Sequence, residues 1–214
     1  MKPALIFDLD GTLWDATVQV AESWNIVGRK YFGPDYFVSD EKVRGLMGKT
    51  MQEIAEALTP ENAEIEHLQD FVDECFYFER VYLQDHPGVP FPHEIEALVE
   101  LKKDFDLYIV SNCQSGYIEN FLNIVPENLF FGHRCWSDTQ KEKHHTIRLL
   151  MDDYGIKEAI YVGDTEKDES AAHLAGLPFV FAAYGFGSAV APEATINYLT
   201  ELQTVAIDLI KGLA

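Results

Sequence analysis

Positive charge is scarce in this chain: its 214 residues hold 16 Lys and Arg against 36 Asp and Glu, a formal net charge of −20. A surface that acidic repels a phosphate backbone, so nucleic acid is not an expected partner. A small phosphorylated ligand would have to be received by a few local cations and a metal ion rather than by the mean field. Cysteine is sparse too. Cys75, Cys113 and Cys135 are odd in number, far apart and in no metal-ligand or redox spacing. They read as reduced, buried small hydrophobes of a cytoplasmic protein. No apolar run reaches the length of a membrane span, and Ala4 to Phe7 is too short for a signal-peptide core, so no membrane partner is expected. Repeats and low-complexity tracts are absent, which leaves periodicity as the guide to organisation. With 47% hydrophobic and 13% aromatic residues, the chain can bury a sizeable core without disulfides, as one large domain or a domain with an insert.

What is present begins with Ala4-Leu5-Ile6-Phe7, an apolar run that delivers Asp8 and Asp10 into a Gly11-Thr12 turn. Side chains alternate along a strand, so extended geometry would send both carboxylates to the same side while Leu9 turns away. Residues 15–85 then show helical stripes, Val20, Trp24, Val27 and Tyr31 in one segment and Phe71, Cys75, Phe78 and Tyr82 in another. Gly33-Pro34, Thr59-Pro60 and Pro87-Gly88 break these helices and close the segment off. This predicts an all-helical insert at 15–85 between two parts of one α/β core, 1–14 and 86–214.

Beyond residue 86 helices alternate with buried strands. Asp106 to Asn112, a short strand beginning at Leu129, Ala159 to Asp164 and Phe179 to Ala182 are the expected strands. Helices are expected around Ile95, from Thr146 to Tyr154, from Glu169 to Ala175 and from Leu202 to Leu213. Apolar strands separated by helices imply a doubly wound parallel sheet of Rossmann-like form, with its ligand site outside the carboxyl ends of the strands.

Three of those strands end in polar groups: Asp8 and Asp10, Ser111 and Asn112, and Asp164 with Asp168. Each alone suits a helix cap. Parallel topology brings them to one edge, where neighbouring carboxylates raise one another's pKa and destabilise the fold unless a cation joins them. A hard divalent ion with oxygen ligands relieves that cost, and Mg²⁺ suits a site that keeps waters and phosphate oxygens as ligands.

These residues resemble the haloacid dehalogenase-like hydrolase superfamily in its phosphatase branch, most nearly the phosphoglycolate-phosphatase-like group. Asp8-Leu9-Asp10-Gly11-Thr12-Leu13 matches its first motif, Ser111-Asn112 the second, and Gly163-Asp164-Thr165-Glu166-Lys167-Asp168 the fourth. The helical insert resembles the family's small cap. The third motif is a lysine, for which Lys143 is the favoured position and Lys141 the alternative. The resemblance implies Asp8 as nucleophile and Asp10 as general acid and base, working through an aspartyl-phosphate. It implies Mg²⁺ held by the Asp8 carboxylate, the Asp10 backbone carbonyl, Asp164 and Asp168, in direct or supporting contact. Thr12, Ser111 and the lysine would bind phosphoryl oxygens, with Asn112 orienting the group.

The second aspartate favours phosphoryl transfer over dehalogenation, because only an alkoxide leaving group needs its proton. In the cap turn Arg44-Gly45-Leu46-Met47-Gly48-Lys49, Arg44 and Lys49 are candidates to reach a substrate anion. The expected activity is hydrolysis of a small phosphate monoester, phosphoglycolate being the family-level guess. The rival is a phosphosugar mutase on the same scaffold. Related mutases carry a basic residue three places after the cap glycine, where this chain has Gly48. A non-catalytic binding protein is a weaker alternative, since every core catalytic position is filled. His144 and His145 lack a second cluster at ligand spacing and are not assigned a site. The Ala183-Tyr184-Gly185-Phe186-Gly187 segment lacks a dinucleotide fingerprint and is expected to shape a loop beside the site.

Overall fold

The structure, a computed structural model, describes residues 2–49, 51–60, 63 and 68–213. Its centre is a six-stranded parallel sheet in the order β5-β4-β1-β6-β7-β8. These strands are β1 (Ala4–Phe7), β4 (Asp106–Ser111), β5 (Gly132–Cys135), β6 (Ala159–Gly163), β7 (Phe179–Ala182) and β8 (Ala194–Ile196). β1 lies inside, with Leu5 opposite both Leu107 of β4 and Ile160 of β6. The period of two decides which face each residue serves. Leu5, Phe7, Leu107, Ile109, Ile160 and Val162 join one core cluster, and Ala4, Ile6, Tyr108, Val110, Ala159 and Tyr161 join the other. Near-continuous apolar strands are therefore what this sheet requires, since both faces are covered.

The covering helices of this part are α5 (Glu94–Leu101), α6 (Tyr117–Leu122), the short α7 (Trp136–Thr139), α8 (Lys143–Tyr154), α9 (Glu166–Ala175) and α10 (Leu202–Leu213). Between β2 (Trp14–Asp15) and β3 (Val89–Pro90) the chain forms α1 (Thr17–Phe32), α2 (Asp40–Arg44), α3 (Met51–Leu58) and α4 (Leu68–Asp85). β2 and β3 pair antiparallel, so the outgoing and returning chains are tied together where they leave and rejoin the sheet. Helices α1 and α4 pack through aromatic edges: Phe71 meets Phe32 at 4.8 Å, Tyr31 at 5.5 Å and Trp24 at 6.1 Å between ring centroids.

Several boundaries differ from the sequence reading. The strand expected from Leu129 begins at Gly132, because residues 129–131 instead cross to the sheet and Leu129 packs into the core. Helix α8 starts at Lys143, not Thr146, and α9 at Glu166, not Glu169. In both, polar residues of the first turn conceal the helix from an apolar periodicity. For α9 the start is marked instead by Thr165, whose hydroxyl accepts from the Asp168 amide while the Asp168 carboxylate accepts from the Thr165 amide, a reciprocal cap. Asp15 belongs to a strand, although the insert was expected to be wholly helical. On α4 the buried stripe is Phe71, Val72, Cys75, Glu79 and Leu83, while Phe78 and Tyr82 are only half-buried. A hydropathy reading discounts a glutamate, so it turned that helix slightly the wrong way.

Candidate active site

Asp8 follows β1, Ser111 ends β4 and Asp164 follows β6, so the three neighbouring strands converge at one sheet edge. The Asp8, Asp164 and Asp168 carboxylates each place an oxygen within 4.8 Å of the others, all three buried. Lys143 enters this cluster from the first turn of α8. Its Nζ donates to Asp8 Oδ1 at 2.9 Å and to Asp168 Oδ1 at 2.6 Å, with the lysine itself 6% exposed. Lys141, the alternative, is exposed. The two differ because Lys143 lies on the buried face of α8, with Thr146, Ile147 and Leu150, whereas Lys141 precedes the helix.

One ammonium does not balance three carboxylates in a dry site. Burial, and then Asp168, push Asp8 up to about 6 against the opposing pull of Lys143. Burial, Asp168 and Asp8 push Asp164 up to about 8. For Lys143 burial works downward, yet Asp168 and Asp8 outweigh it and hold the ammonium charged. All the donors facing one another here are hard oxygens, a set that fits Mg²⁺ rather than a softer metal. The excess negative charge is what a divalent ion would neutralise. Asp168 has both oxygens engaged, Oδ1 by Lys143 and Oδ2 by the Thr165 amide and hydroxyl. Asp164 is held more lightly, by the Thr12 hydroxyl at 3.4 Å from Oδ1 and the Phe186 amide at 2.7 Å from Oδ2.

Asp10 stands apart from that trio. Trp14 Nε1 donates to its Oδ1 at 3.0 Å and Tyr117 Oη to the same oxygen at 2.8 Å, leaving Oδ2 unclaimed by either. Burial and then Asp8 push its pKa to about 7, opposed by those two hydrogen bonds. The Thr12 hydroxyl lies 3.4 Å from Asp164 Oδ1, and the Phe186 amide donates to Asp164 Oδ2 at 2.7 Å. That second bond explains the glycines of the 183–187 segment: a Cβ on Gly185 would overlap Asp164 and the Gly11 carbonyl. Tyr184 Oη donates to the Thr12 carbonyl at 2.9 Å, so this loop holds two strand ends at once.

Above the sheet edge the helices close a cleft. Asp8, Asp10, Ser111 and Asn112 line its floor, and Val20, Trp24, Val43, Leu46, Met47, Lys49, Leu58 and Glu79 line its roof. Asn112 Nδ2 donates to the Gly48 carbonyl at 3.1 Å, which joins floor to roof. Lys49 is therefore at the cleft. Arg44 is not among the lining residues: it pairs with Asp15 at 3.0 Å and lies over the Phe186 ring. The structure adds Trp14, Tyr117 and the Phe186 amide to the residues read from sequence. Tyr117 and the Phe186 amide act at contacts 107 and 22 residues away, which a linear pattern does not show, and Trp14, though only four residues from Asp10, reads as an apolar core residue. His144 is 3.5 Å from Glu142 and stacks on His145, away from the cleft. The three cysteines are free and buried.

A parallel sheet with this acidic edge and helical roof is the architecture of a hydrolase family that the sequence matches directly. The model of the haloacid dehalogenase-like hydrolases covers residues 5–182, and the chain belongs to that family. Among its relatives are phosphoglycolate phosphatases of Mesorhizobium japonicum, 28% identical over 86% of this chain and 84% of that one, and of Photorhabdus laumondii, 27% identical over 97% and 94%. A haloacid dehalogenase-like hydrolase from Streptococcus pneumoniae superposes with a TM-score of 0.80 at 21% identity, over 96% of this chain and 98% of that one. CbbY from Rhodobacter sphaeroides, solved in complex with phosphate, superposes at 0.77 and 18%, over 94% and 96%.

Proposed function

We propose that this hydrolase is a Mg²⁺-dependent phosphatase that cleaves small phosphate monoesters through an aspartyl-phosphate on Asp8. The observation that carries the reading is that Asp8 and Asp10 share the floor of one roofed cleft, with the Lys143 ammonium bonded to Asp8 from behind it. Its relatives named as phosphoglycolate phosphatases support the phosphoryl chemistry.

Asp8 attacks phosphorus, a P–O bond forms to its carboxylate as the bond to the alcohol oxygen breaks, and one hard displacement becomes two easier ones. Asp10 gives a proton to the departing oxygen and then takes one from the water that hydrolyses the intermediate. With Trp14 and Tyr117 both bonded to Oδ1, Oδ2 is the atom that carries the proton. Lys143 orients Asp8 and offers positive charge to the phosphoryl oxygens, joined by the Thr12 and Ser111 hydroxyls. Asn112 fixes the roof over the phosphoryl group through Gly48. Mg²⁺ would be held by Asp8, Asp164 and the Asp10 carbonyl, with Asp168 supporting through Lys143 and Thr165, and would supply Lewis acidity toward the phosphoryl oxygens.

Residues 15–85 serve as the cap, which excludes bulk water and reads the alcohol end of the ester. Lys49 lines the cleft beside Gly48 and attracts the substrate anion, while Arg44 ties the cap helices to the β2 strand at Asp15 and to Phe186. Gly48 has φ +74°, a conformation that a basic side chain adopts only with strain. This favours release of inorganic phosphate over the mutase outcome.

Purified protein assayed on a panel of small phosphate esters tests the reading. Hydrolysis that excess EDTA abolishes and added Mg²⁺ restores is expected. Undiminished hydrolysis in EDTA, or none on any ester, would overturn it.

A further inference from the structure

Glu79 is a buried carboxyl group that phosphoryl transfer does not use. It projects from α4 into the roof of the same cleft as Asp8 and Asp10, on a helix face otherwise made of Phe71, Val72, Cys75 and Leu83. Trp24 Nε1 donates to its Oε2 at 2.5 Å and Gln114 Nε2 to its Oε1 at 3.1 Å. Those two donors come from α1 and from the loop after β4, so the carboxyl is held from both sides. A carboxylate offers about four lone-pair positions, and these bonds occupy one on each oxygen. Acceptor capacity is left over at a wall that is otherwise apolar, formed by Val20, Trp24, Val43, Leu46, Met47 and Leu58.

From this we infer that Glu79 selects the alcohol end of the substrate: it accepts a hydrogen bond from a hydroxyl or ammonium group there and rejects a carboxylate. The inference rests on the phosphatase reading and narrows its substrate class. Burial raises the Glu79 carboxyl to about 7 against the pull of Trp24 and Gln114, so above that pH, where it is ionised, a substrate carboxylate beside it would set two anions together in a low-dielectric cleft, where each raises the cost of the other. The apolar wall offers no donor to relieve it. Lys49 lines the same cleft, and the inference assigns its charge to the phosphate, as in the reading above. Phosphoglycolate, a two-carbon ester ending in a carboxylate, is thus a poor fit. A phosphate ester of a polyol or an amino alcohol is a good one.

The test compares kcat/KM for glycerol phosphate, ethanolamine phosphate and phosphoglycolate in the wild type, Glu79→Gln and Glu79→Asp. The ratio of a donor-bearing ester to phosphoglycolate cancels any general loss of active protein. It should favour the donor-bearing ester by about tenfold or more in the wild type, with the difference mainly in KM. Whether the hydroxyl or the ammonium ester leads identifies the donor. Glu79→Gln, which loses the charge but keeps the shape, should bring the ratio down about tenfold, and Glu79→Asp, which keeps the charge, should retain most of it. A wild-type preference for phosphoglycolate, or a ratio that Glu79→Gln leaves unchanged, would overturn the inference. Acetyl phosphate, an acyl phosphate whose acetyl group carries neither a donor nor a free carboxylate, separates the two claims: a wild type inactive on it and on all three esters defeats the phosphatase reading itself.

Discussion

At the scale of single residues, charge in dry places controls both chemistry and stability. Glu94, at the start of α5, is 1% exposed, and its carboxyl accepts from the Phe91 amide at Oε2, 2.9 Å away, while Oε1 has no partner among the described residues. Burial raises its pKa from 4.5 to about 9. The folded state therefore keeps a proton that the unfolded chain has lost. Its stabilising contribution is complete below about 4.5 and disappears as pH rises toward 9. In Glu94→Gln that portion of the decline should vanish, so urea unfolding at a series of pH values should show the variant gaining on the wild type as pH rises. A gap independent of pH would contradict the assignment. Individual residues were also where the sequence was both most and least legible. The two aspartates and the glycine turn announce Asp8 and Asp10 through spacing alone. By contrast, Lys143 and Lys141 are separable only once a helix start is placed, since the burial of Lys143 comes from its position on one face of α8. Glu79 was hidden because a charged residue on a buried stripe makes sense only when Trp24 and Gln114 are seen to satisfy it.

Elements that bury continuous apolar runs were easily read. β1, β4, β6 and β7 stand where their Val, Ile, Leu and Phe content puts them, because each is covered on both faces. β5 carries Gly, His and Arg, so its start was read three residues early, at Leu129, and β8, three residues long, does not announce itself. β8 takes its place from pairing with β7 rather than from its own composition. In the roof, the partnership of α1 and α4 depends on the aromatic cluster around Phe71, which is fully buried. Phe71→Ala should cost about 3–5 kcal/mol if the roof and sheet unfold together. Chemical denaturation read by tryptophan fluorescence checks this, because Trp24 lies against Phe71. A loss below about 1 kcal/mol would mean that the cavity collapses without penalty or that this cluster is not cooperative with the rest.

In the proposed mechanism the whole molecule divides labour between a sheet edge that handles phosphorus and helices that enclose it. Asn112 to Gly48, Arg44 to Asp15 and Lys167 to Glu53 cross between them. The two ion pairs are exposed and contribute about 0–1 kcal/mol each, little enough for the roof to part and admit substrate. No helix among the described residues is long and apolar enough to cross a membrane. Among the described residues, the passage from helices to alternating strands and helices was legible as a change in periodicity near residue 86. The closeness of Gly48 to Asn112 was not, since 64 residues separate them in sequence. The central claim is that Asp8 takes the phosphoryl group inside this enclosure. Acetyl phosphate has a leaving group that needs little help from a proton, so in Asp10→Asn the first step should proceed while hydrolysis of the intermediate slows. Acid-quenched protein from that variant, digested and sequenced by mass spectrometry, should carry a phosphoryl adduct on Asp8. Acetyl phosphate consumed with no adduct, or with the adduct on another side chain, would contradict the account.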